Sequence, residues 1–240
     1  VLGLKVDLPN LIKNNGKLKP EKIGVNKAST FKGFCAKHDK ELFSCIEDKV
    51  FDYLEDQCFV LFFRAVAKEL YAKEGSQKTS EFLKSSDKGK PLLEQFFIQN
   101  YLSDSETATE VSNKELNDLK VKLDFDLLNE NYDDISHIII ESSVPIPIVV
   151  SSVVSPVYDF NGKIIQNLSD LNVTAQTVGI NSFSSGGKGY IVFSWYKASH
   201  KINEFIDTLL NISFDEMFSA LVRCFFGLSE NSFISPKWWD

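Results

Sequence analysis

The stretch Ala175-Gln176-Thr177-Val178-Gly179-Ile180-Asn181-Ser182-Phe183-Ser184-Ser185-Gly186-Gly187-Lys188-Gly189-Tyr190-Ile191-Val192-Phe193-Ser194-Trp195 decides how the rest of the chain is read. Two runs rich in β-branched and aromatic residues flank Ser184-Ser185-Gly186-Gly187, the pattern of two antiparallel strands joined by a tight turn. The competing reading of 184–189 is a phosphate loop. It fails because the Walker spacing is absent and Gly189, rather than Ser or Thr, follows Lys188. A hairpin here makes the region antiparallel sheet.

Working outward, His137 to Ile140 and Ile146 to Val154 have the same composition, and Asn161-Gly162 adds a turn signal. Pro145 and Pro147 each remove a ladder donor, which predicts a sheet edge or a bulge there. Two helices close the chain. The last opens on a capping box of Ser213 with Glu216 and carries Phe214, Leu221 and Phe225 on a wide apolar face up to Gly227.

Upstream the period changes to that of helix. From His38 onward Leu42, Cys45 and Ile46 share a face, and Phe51, Leu54, Cys58, Leu61 and Ala65 recur at three- and four-residue spacing to about Tyr71. Gly75 to Lys90 reads as a mobile connection or as a helix end near Leu83 followed by a loop. A helix from Pro91 to about Tyr101, a poorly patterned polar segment over Ser103 to Asn113, and a helix over Lys114 to Leu128 follow. Residues 1–32 read as two or three short strands, and Thr30 to Phe34 as the strand that delivers Cys35. The expected fold is α+β. It has a zinc-knuckle-like β/α segment over 1–50 and a body over 51–240, in which central helices precede an antiparallel sheet with C-terminal helices packed on it.

The net charge of −7 argues against a surface that coats nucleic acid or an anionic membrane throughout, but it is unevenly placed. Residues 1–40 hold nine Lys and three acids, about +6, so a polyanion contact belongs at the N-terminal end and the acidic remainder suits a protein partner. Solvation of an exposed loop accounts for many of the same lysines. Four cysteines without disulfide spacing fit a reduced, cytoplasmic protein. The longest apolar run, Cys58 to Phe63, is too short to span a bilayer. A chain that opens on Val1 and closes on Trp238-Trp239-Asp240 reads as a fragment of a longer one, with the tryptophans either capping the core or forming an interface.

The strongest chemical candidate is Gly33-Phe34-Cys35-Ala36-Lys37-His38-Asp39. A thiolate and an imidazole three positions apart at the start of a helix can face one ion, which is half of a tetrahedral zinc site. The bland alternative makes Cys35 a small buried residue and His38 a capping or surface residue. Other constellations are weaker. His137 and His200 stand alone, Asp124 with Asp126 and Asp133 with Asp134 suit solvated turns, and no Gly-x-Ser-x-Gly elbow is present.

The run Phe31 to Phe43 with Ile46-Glu47 resembles the hallmark of a poorly characterised bacterial protein family whose N-terminus is an HNH-like, treble-clef zinc knuckle. Ser155 to Gly162 and Phe233 to Trp239 resemble that family as well. The resemblance implies a structural zinc held by Cys35 and His38 together with a Cys-containing pair and a Ser-His or Ala-His step upstream, which residues 1–240 lack. It also implies that Asp39, just after the ligand pair, sits beside a catalytic metal in a phage-defence or nucleic-acid-processing protein, a metal-dependent nuclease once the upstream half completes the site. The reading from a different class is a non-enzymatic interaction or scaffold protein with a structural or degenerate zinc half-site.

Overall fold

The hairpin forms where the pattern puts it, and its strands are the centre of the molecule. In the computed structural model, which describes residues 1–4, 14–17, 19–28, 31–85 and 87–239, the order begins with strands β1 (Leu2–Leu4) and β2 (Pro20–Lys22). Helices α1 (Val25–Ala28), α2 (Ala36–Glu47), α3 (Glu55–Leu83) and α4 (Leu92–Leu128) follow. Then come β3 (Ile135–Ser142), β4 (Ile148–Val154), β5 (Val178–Ser185) and β6 (Lys188–Tyr196), and α5 (His200–Leu210), α6 (Phe214–Leu228), β7 (Ser232–Ile234) and α7 (Pro236–Trp239). The α+β class holds.

All pairings in the single sheet, ordered β2-β1-β7-β4-β5-β6-β3, are antiparallel. Gly186 and Gly187, at φ 57° and 82°, make the two-residue turn between β5 and β6, a conformation that residues with a Cβ adopt only under strain. β3 and β4 flank that hairpin in a Greek-key arrangement, so 143–147 must cross its end. Pro145 and Pro147 lie in this crossing loop, not in an edge or bulged strand, and there they cost no ladder bond. The crossing passes so close that a Cβ on Gly189 would stand 2.8 Å from the Val144 carbonyl oxygen.

Both faces of the sheet are covered, which is why β6 reads as a nearly continuous apolar run and β5 is buried from Val178 to Ser182 despite its polar residues. Ile148, Val178, Ile180, Phe193 and Trp195 pack against Ile202, Phe205 and Leu209 of α5 and Leu221 and Phe225 of α6. On the other face α3 lies so close that a Cβ on Gly179 would stand 2.4 Å from the Phe62 ring, and Tyr190 and Val192 meet Cys58 and Phe51. Full burial of each such aliphatic or aromatic side chain contributes about 1.5–3 kcal/mol, so three layers stabilise the fold. The expectation that the C-terminal helices pack on the sheet is met, and the central helices cover the opposite face.

Three local readings need correction. Thr30 lies outside the described residues, and 31–34 are irregular with bends at 33 and 34, so no described strand delivers Cys35. Lys114 to Leu128 and Pro91 to Tyr101 are parts of one helix, α4, because 103–113 is helical too. Gly75 lies inside α3, which ends at Leu83 as the alternative reading had it.

Segment 1–50 shares the sheet and core with the rest. β1 pairs with β7, and Phe43 of α2 is fully buried among Phe59, Phe63 and Leu123.

Candidate functional site

The start of α2 is positioned by aromatic packing. Phe34 sets its ring 5.4 Å from Phe43 and 6.1 Å from Phe63, centroid to centroid, so the residue before Cys35 is anchored to both α2 and α3. Arg64 reinforces the seam, with its guanidinium 4.8 Å from the Phe43 ring and 2.9 Å from the Glu47 carboxylate. At the other end of α2 the buried Gln57 amide donates to the carbonyls of Cys45 and Val50 and accepts from the Asp52 N–H. Nothing in the sequence marks Gln57 as the organiser of that turn, because its role depends on three backbone groups brought together by the fold.

Cys35 is the N-cap of α2, with extended backbone at φ −73° and ψ 157°, and its side chain makes no capping bond. Its Sγ lies 3.4 Å from His38 Nδ1, and both side chains are exposed. Two ligands of one tetrahedral zinc, at about 2.3 Å for sulfur and about 2.0–2.1 Å for nitrogen, stand about 3.6 Å apart. That spacing is compatible with two ligands of one ion and equally with a direct hydrogen bond between the two side chains; Cys35 is exposed rather than buried, and His38 is a surface residue, as the bland reading has it. Asp39 is in the first turn, where a carboxylate complements the partial positive charge of the helix end. Among the described residues no cluster of three or more His, Cys, Asp or Glu side chains could hold a metal.

The remaining cysteines are of another kind. Burial pushes the Cys58 and Cys224 thiols up to about 12, with nearby acids adding to the shift at Cys58, and burial raises Cys45 as well. Their thiols are held protonated near neutral pH. His137 lies in β3 and His200 opens α5.

A groove of about 1000 Å³ lies between the sides of α3 and α4, the end of β4 and the loop 168–177. Glu69, Lys73, Glu115, Lys122 and Glu230 line it. Burial pushes the Glu69 carboxyl up, only partly offset by Lys73 at 3.9 Å. Glu115 accepts from the Ala175 N–H, and Tyr196 donates to the buried Asp126 at 2.6 Å, a phenol that burial and this bond raise far above its usual range. Lys114, Asp118 and Asp170 also line it, so the groove carries charges of both signs with acids in excess.

Lys17, Lys19, Lys22 and Lys27 are exposed on and beside the β1–β2 edge, and Lys32 is exposed between α1 and α2. No described helix is long and apolar enough to cross a membrane. No family model, curated protein or solved structure matches the chain.

Proposed function

We propose that this is part of a cytoplasmic, bacterial nucleic-acid-processing protein of the defence type, in which Cys35 and His38 supply two ligands of a structural zinc. The single observation that carries the reading is the 3.4 Å approach of Sγ to Nδ1 on an exposed helix start whose orientation is set by Phe34. The other two ligands come from outside the described residues. The lysines of the β1–β2 edge are the phosphate-contacting group, which makes binding weaken steeply with salt. Asp39, adjacent to the ligand pair, is the carboxylate such a module would offer to a hard cation for phosphodiester cleavage.

Elemental analysis of the full natural polypeptide tests it. One zinc per chain is expected, falling to background in Cys35→Ala and His38→Ala variants that still fold. A full polypeptide without zinc, or a Cys35→Ala variant that keeps it, overturns the reading. A non-enzymatic interaction protein is the second reading, favoured by the apolar face that α4 exposes among Leu92, Phe96 and Tyr101. Chelator-sensitive nucleic-acid cleavage by the full polypeptide would remove it.

A further inference from the structure

α4 packs chiefly on α3, and Ala108 is its first residue to line the groove against the body. The preceding part, from Leu92, is about 24 Å of helix outside that groove. Bonds to the turn after α3 hold it there: Lys84 pairs with Glu106 at 2.6 Å, and Gln99 donates to the buried Asp87 and to the Lys84 carbonyl, each at 2.9 Å, while further along Asn113 donates to Gln77 of α3 at 2.9 Å.

On this end of the helix, among the described side chains, Gln95, Ile98, Leu102 and Glu106 are the covered positions. Leu92, Leu93, Phe96, Phe97 and Tyr101 are between 59% and 84% exposed and occupy about half of the helix circumference. A surface helix turns its apolar stripe toward the core, whereas here the broad apolar side is the open one, so it lacks a partner among the described residues. The exposed Asn100 lies in the middle of this apolar stripe, and Lys90 and Glu94, 4.0 Å apart, sit at its margin.

The geometry points to a second copy of this chain as the occupant, with the α3–α4 tips meeting about a two-fold axis. Three features select that partner. The five side chains expose roughly 700 Å², close to the roughly 800 Å² that each partner contributes to a stable interface. A margin carrying both signs is self-complementary under two-fold symmetry, whereas an anionic lipid surface or a strongly charged partner would select one sign. A polar Asn centred in an apolar stripe meets its own copy near the axis and can be satisfied by it, but would be left unpaired in hydrocarbon. This inference does not depend on zinc.

Sedimentation velocity of the full chain over a range of micromolar concentrations tests it. The expected result is a concentration-dependent dimer, with Phe96→Glu/Phe97→Glu raising the dissociation constant by at least about 100-fold while circular dichroism stays unchanged. In a Cys35→Ala background, Asn100→Cys is expected to give a disulfide-linked dimer on mild oxidation. A chain that stays monomeric throughout overturns the inference, as does a dimer that survives the double substitution and fails to cross-link through position 100. Monomers that sediment with phosphatidylserine vesicles through the same two phenylalanines would assign the tip to lipid and overturn it as well.

Discussion

At the scale of single residues, the four cysteines separate by environment. Cys35 is exposed beside His38, Cys45 is partly covered, and Cys58 and Cys224 are buried with thiols held near 12. Iodoacetamide on the native protein is therefore expected to modify Cys35 first and to leave Cys58 and Cys224 intact until denaturant is added; rapid native labelling of Cys224 would contradict the packing of α6 on the sheet. Lys68 is the opposite case, a charge put where water is scarce. Burial lowers its ammonium to about 8, Arg64 pushes the same way and Glu69 opposes, and its Nζ has no hydrogen-bond partner among the described residues. The folded value lies below the ordinary 10.5, so this residue's contribution is complete above about pH 10.5 and is lost as pH falls through about 8. Lys68→Met should thus raise the urea midpoint at pH 7, by about 1 kcal/mol of stability, and raise it less near pH 10. An equal gain at both pH values would mean that charge is not the cause. Cys35 and His38 were legible as a pair from spacing alone; Lys68 and Gln57 were not, since an amphipathic helix leaves unstated which polar side chain its tertiary partners will cover.

At the scale of elements, what the sequence shows clearly is what the sheet demands. β-Branched runs with Gly186-Gly187 between them locate β5 and β6 to within a few residues, because burial on both faces leaves few other compositions. The polar stretch 103–113 hides the continuity of α4, because this part of the helix needs only one narrow covered stripe, while Leu116 and Leu123 further along enter the core. Pro145 and Pro147 forbid ladder bonds but do not say whether an edge or a loop accommodates them. Two glycines state the closeness of these elements. Gly179→Val drives a side chain into the Phe62 ring and should cost about 1–3 kcal/mol, read as a lower thermal midpoint. Gly24→Ala, where a Cβ would meet nothing within 4 Å, is the control expected to change the midpoint little.

At the scale of the whole molecule, an antiparallel sheet clad on both faces holds the start of α2 in a fixed place. Composition gave the class and the charge imbalance. It could not show that segment 1–50 shares one sheet with the C-terminal β7, since the β1–β7 pairing joins residues more than two hundred positions apart. That pairing seats the lysine-bearing edge and the Cys35–His38 pair on the same body. The most direct test of the account is the visible and near-ultraviolet spectrum of the full natural polypeptide loaded with cobalt(II) in place of zinc. The account requires a thiolate-to-cobalt charge-transfer band with tetrahedral d–d bands, weakened by Cys35→Ser and lost with His38→Ala as well. A spectrum of hydrated cobalt alone, or one that Cys35→Ser leaves unchanged, would contradict it.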